Sequence, residues 1–113
     1  MANIVIVRQK ATYSEITDML ETLGDYIKIA VDIERQIIAG GGELHADCEE
    51  ALLNDGSNQK DVWGADWYPK AKKVFFESFI NIRPKQNNRS MDIQDPKTRN
   101  FVEKIIRELL EVD

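Results

Sequence analysis

Apolar residues recur along this chain with different periods, and each period predicts an element. "NIVIV", Asn3 to Val7, is a continuous β-branched run and reads as a strand. At Thr12 the string "TYSE" makes a Thr-x-x-Glu capping box; Ile16, Met19, Leu20 and Leu23 follow at helical spacing, and Gly24 ends the helix. "YIKIAVDIE" then alternates. Ile27, Ile29, Val31 and Ile33 fall on one face and Lys28, Ala30, Asp32 and Glu34 on the other, which describes a strand with one wet face. A helix over residues 27–38 also fits the apolar positions. In the strand reading "QIIAGGG" returns as a hairpin partner, with Glu34 to Gln36 near the turn.

"ELHADCEEALLND" fits two elements. Its Ala, Leu and Glu content favours a helix, with Leu44, Cys48, Ala51 and Leu52 on one face and Gly56 just past the end. As a strand it would turn Leu44, Ala46 and Cys48 to the core. "NDGSNQKD" is a turn. "VWGADWY" is a strand closed by Pro69, and "VFFESFINIRP" is the longest strand-like run, putting Arg83 at a strand end. A polar loop, "PKQNNRSMDIQ", leads to Asp95-Pro96, which caps a last helix. Its buried stripe is Phe101, Val102, Ile105, Ile106, Leu109 and Leu110, with Glu103–Arg107 and Lys104–Glu108 four apart on the wet side. The sum is an α+β fold: a mostly antiparallel sheet of four to six short strands with amphipathic helices at both ends and a third helix possible between them.

At 113 residues this is one domain, long enough to bury roughly two-thirds of its unfolded surface. A net charge of -5 argues against broad binding to nucleic acid or acidic membranes. One cysteine allows no internal disulfide, the five-residue apolar run near the start is too short for a signal peptide, and no stretch approaches the roughly 20 apolar residues of a membrane helix. These readings give a cytoplasmic protein with no membrane partner.

Four groups of residues carry candidate chemistry. Gly40-Gly41-Gly42 lacks the Gly-Lys-Ser/Thr ending of a phosphate loop and is followed by Glu43, so it reads first as a turn or bulge needing positive φ. Glu43, His45 and Asp47 form a carboxylate–imidazole–carboxylate string. His45 is either a structural histidine held by a carboxylate or a general acid/base tuned by Asp47 or Glu43. One histidine and one cysteine are thin for zinc, and no cofactor motif is present. Arg83, Lys85 and Arg89 stand among Asn81, Asn88 and other amides. Arginine forks and amide donors suit a phosphate or carboxylate, unless Arg83 pairs with Asp32 or Glu34 across the sheet. Trp63, Trp67 and Tyr68 suit either a stacking platform or core packing.

"VDIE" (residues 31–34), "GGELHAD" (41–47), "LLNDGSNQKDVWGADWYP" (52–69) and "INIRPKQNNRSMDIQDP" (80–96), followed by an amphipathic helix, resemble a family of short bacterial and archaeal proteins of unknown function. The resemblance implies a recurrent cytosolic domain and brings no catalytic residue with it.

Two function classes follow. One is a binding domain or small hydrolase whose polar site holds a small phosphate- or carboxylate-bearing ligand, with His45, Glu43 and Asp47 as catalytic residues and Arg83, Asn88, Arg89 and Asn81 as ligand-binding ones. The other is a non-catalytic interaction module, including a homo-oligomer. Nucleic-acid binding is the weakest reading. The discriminating observation is whether Arg83 or Arg89 converges with His45 on one cleft.

Overall fold

The computed structural model describes residues 4–112; Asn3, the first residue of the expected N-terminal strand, lies outside them. The order is β1 (Val5–Val7), α1 (Tyr13–Leu20), β2 (Ile27–Asp32), β3 (Ile37–Gly40), α2 (His45–Asn54), β4 (Val62–Tyr68), β5 (Lys73–Phe75) and α3 (Pro96–Leu110). The strands make one antiparallel sheet in the order β1-β3-β2-β4-β5. The fold is α+β, as the hydrophobic pattern predicts.

Local chemistry explains several boundaries. Thr12 and Glu15 close the expected capping box, with reciprocal bonds of 3.1 and 2.9 Å. The β2–β3 hairpin turns where Asp32 Oδ1 accepts the amides of Glu34 and Arg35, at 2.9 and 3.0 Å. Asp95 caps α3 by accepting the amide and hydroxyl of Thr98, and Glu103–Arg107 and Lys104–Glu108 pair along it at 2.9 and 3.8 Å.

The two faces of the sheet bury separate cores. Ile27, Ile29 and Val31 point to one face, where Met19 of α1 and Ile105 and Ile106 of α3 cover them. Ala30 and Ala39 point to the other, under Cys48 and Leu52 of α2. Truncating a fully buried residue such as Ile29 or Ile106 to alanine costs about 2–5 kcal/mol. β2 therefore has no wet face. Ala30 and Asp32, expected in water, are fully buried because residues 45–54 are the helix α2 and lie across β2, β3 and β4.

The second correction concerns "VFFESFINIRP". The strand stops at Phe75, after which Phe79–Asn81 and Pro84–Gln86 are 3-10 turns. Side chains displace the ladder. Ser78 Oγ accepts the Ile80 amide, and Asn81 takes over backbone groups of Gly64 in β4. Gly64 permits this approach: a Cβ there would lie 2.5 Å from Ser78 Oγ. Arg83 accordingly sits on a turn beside α2 and not at a strand end. No helix among the described residues is long and apolar enough to cross a membrane.

Candidate functional site

The N-terminus of α2 is set by the glycine run. Gly41, at φ +99°, turns the chain out of β3, and its amide bonds the carbonyl of Lys28 at 3.2 Å. Leu44 is the extended residue before the helix, and Asp47 Oδ2 reaches back to its amide at 3.3 Å. The run thus acts as a turn, and it delivers His45 to the first position of α2, over β4.

There His45 Nε2 lies 2.7 Å from Asp66 Oδ1 and 3.1 Å from the carbonyl of Ala65. Both partners accept, since a carbonyl oxygen has no proton to give. Nε2 therefore carries the hydrogen, and in the neutral ring Nδ1 is a bare lone pair; no described residue hydrogen-bonds to it. Asp66 faces Lys28 across β2 and β4, because the register pairs the two residues directly. The Lys28 ammonium turns toward the loop and donates to the carbonyl of Glu43 at 3.1 Å. Lys28, His45 and Ser78 share a cavity of about 220 Å³ with the apolar side chains of Leu44, Phe79 and Ile80. Cys48, one turn beyond Leu44, is fully buried, and that burial pushes its thiol up to about 11, so it is no nucleophile at neutral pH.

A family model described as "Protein of unknown function (DUF5674)" matches residues 5–109. The chain belongs to the DUF5674 family. No curated protein matches it. No solved structure matches it either. The match to DUF5674 spans the Lys28–His45–Asp66 cluster and every other candidate residue named above.

The remaining candidates of this DUF5674 chain divide into two groups. Glu43 and Asp47 are exposed and neither hydrogen-bonds the His45 ring; the carboxylate that holds His45 is Asp66. Among the described residues no group of three or more His, Cys, Asp or Glu is arranged to hold a metal ion. Asn81 is fully buried and both its amide hydrogens are engaged: Oδ1 accepts from Gly64, and the two Nδ2 hydrogens are shared among the carbonyls of Gly64, Phe76 and Met91. Asn88 is equally engaged. Its Nδ2 donates to the carbonyls of Asn81, Ser90 and Asp92, and its Oδ1 accepts the Gln94 amide.

Arg83 is consumed as well. Its guanidinium donates to the carbonyls of Ile80, Gln59 and Val62, reaches Glu49 at 3.3 Å and lies 4.8 Å above the Trp63 ring. Burial pulls its pKa below the ordinary value, against the opposing pull of Glu49. The expected partners Asp32 and Glu34 are not involved. Arg83 and His45 do meet the same helix one turn apart, through Glu49. Arg89 does not join them: its guanidinium is exposed, with no partner among the described residues, and only its amide is fixed, by Gln94.

The aromatic candidates are structural. Trp63 and Trp67 are 6% and 1% exposed within the α1/α3 core, and Tyr68 stacks on Tyr26 at 4.9 Å. Lys28, Asp66 and Ser78 are the site residues that sequence reasoning missed. The one available signal was an aspartate inside the otherwise apolar "VWGADWY", at a position that alternation places opposite the tryptophans.

Proposed function

We propose that this protein is a small-ligand domain with hydrolytic chemistry, in which His45 is the general base and Asp66 orients it. The carrying observation is the fixed tautomer: Nε2 is committed to Asp66 and Ala65 while Nδ1 remains unbonded in a residue that lines a cavity. A carboxylate behind an imidazole holds the ring and stabilises the imidazolium that forms when it accepts a proton. Nδ1 takes a proton from water; the hydroxide adds to an ester carbonyl; the C–O bond breaks, and the alcohol leaves with the proton returned from His45. The substrate is a small anion that carries this ester beside a carboxylate, and Lys28 is the cation that lines the cavity.

The test is hydrolysis of a panel of small esters that also carry a carboxylate, such as monoesters of dicarboxylic acids, by the purified chain. His45→Gln is expected to lose about 10²- to 10⁴-fold in rate, and Asp66→Asn to fall between it and the native chain. Equal rates for His45→Gln and the native protein would contradict the proposal, as would no turnover of any ester.

A second reading, a non-catalytic interaction module, is favoured by a separate observation. Phe79 is 80% exposed and Ile82 43%, beside a groove of about 540 Å³ that Pro84 also lines. Under that reading the chain associates with itself as concentration rises in light scattering, and Phe79→Ser abolishes the association.

A further inference from the structure

We infer that the ligand of the α2 cavity is a small monocarboxylate with an apolar body, and that Lys28 is the residue that selects it. This rests on the reading of the cavity proposed above and adds the charge and shape of its occupant.

The charge follows from a donor count. Lys28 is the cationic side chain in the cavity wall, and one of its three ammonium protons is engaged with the carbonyl of Glu43. The other two have no partner among the described residues. Lys28 is also not ion-paired with Asp66, although the register places the two side by side; Asp66 is held by His45 instead. The position is stiff, because the Lys28 carbonyl accepts both the Gly41 amide and the Cys48 thiol, at 3.2 and 3.4 Å. One ammonium with two free donors matches one carboxylate.

A phosphate dianion is a poorer match. It presents more acceptors than Lys28 can satisfy. The arginine nearest α2, Arg83, has its guanidinium engaged by three carbonyls and Glu49. Asp66, bonded to His45 of the cavity wall, stands beside the cavity, so a second negative charge meets repulsion. Shape and polarity come from the rest of the wall. Leu44, Ala46, Phe79 and Ile80 offer apolar surface, and a cavity of about 220 Å³ is below the range that takes drug-sized molecules. An occupant that is polar throughout would leave groups unpaired against these side chains.

The probes are hexanoate, its neutral isostere hexanamide, and inorganic phosphate. Each is titrated into the full chain while NMR follows the His45 ring, the only histidine, and the amides of Ala46 and Phe79. Hexanoate is expected to shift these signals saturably, at least about tenfold more tightly than hexanamide, with no shift from phosphate. Lys28→Met brings hexanoate down to the level of hexanamide, and Lys28→Arg keeps the preference; matching amide spectra elsewhere show that both variants fold. Hexanamide binding as tightly as hexanoate, phosphate binding more tightly than hexanoate, or a preference that survives Lys28→Met each overturns the assignment while leaving the cavity a ligand site. No shift of His45 by hexanoate or hexanamide overturns the assignment and the proposed function together.

Discussion

Two polar clusters meet α2 one helical turn apart, and they differ in what is left over. Around Asn81, Arg83 and Asn88, side-chain donors and acceptors pair with backbone groups or Glu49. Around His45 the pairing is incomplete: Asp66 and Ala65 hold one ring nitrogen, the other is bare, and Lys28 has two free protons. Both clusters look equally chemical as residue types. Only the count of unused valences separates a knot that holds irregular chain in place from a group that can still meet a ligand.

The sharpest way to break this comparison is Asn81→Ala. It leaves the Gly64 amide and the Gly64 and Phe76 carbonyls without this partner, while the Met91 carbonyl keeps only the Ser78 amide, so urea denaturation should show a loss of about 3–4 kcal/mol. A loss under about 1 kcal/mol would mean the knot is not what holds the segment after Phe75. Gly64→Ala attacks the same knot sterically, since its methyl would overlap Ser78 Oγ; a loss of about 2 kcal/mol is expected by the same measurement.

An exposed ion pair supplies a contrast of charge. Arg8 and Arg35 hold Asp55 at 2.6 and 2.7 Å and lower its pKa from 3.8 to about 2. A depressed folded-state pKa gives stability that is present above the unfolded value and disappears as pH falls through the folded one. Melting temperature should therefore drop between about pH 4 and pH 2 through this group, and Asp55→Asn should flatten that part of the curve. His45→Gln removes the ring's bonds to Asp66 and Ala65 at a partly exposed position and should cost about 1 kcal/mol or less, while keeping hexanoate-induced shifts of the Ala46 and Phe79 amides and losing the ester turnover. Arg89→Ala is the smallest change: the exposed guanidinium has no hydrogen bond or ion pair among the described residues, and stability should stay within about 0.5 kcal/mol.

Legibility in the sequence followed the range of the interactions. α1, α3 and the β2–β3 hairpin were readable because their signals are local: a capping box at Thr12, Asp95-Pro96, and apolar periods of 3.6 and 2. The burial of Ala30 and Asp32 was not, since it depends on α2 folding over β2 from a distant part of the chain. The end of β5 was also hidden. Phe76 to Ile82 has strand-like composition, and what overrides it is the fit of Ser78 and Asn81 onto Gly64, more than a dozen residues earlier. For the same reason His45 was visible as a candidate while its partner was not: Glu43 and Asp47 are near in sequence, and Asp66 is near only across the fold.

The most direct measurement is a long-range ¹H–¹⁵N correlation spectrum of the single histidine, recorded at alkaline pH where imidazole is neutral. We expect a proton on Nε2 and an unprotonated Nδ1 whose ¹⁵N shift moves when hexanoate is added. A proton on Nδ1 with a bare Nε2 would contradict it, because the ring would then have no hydrogen to give to Asp66.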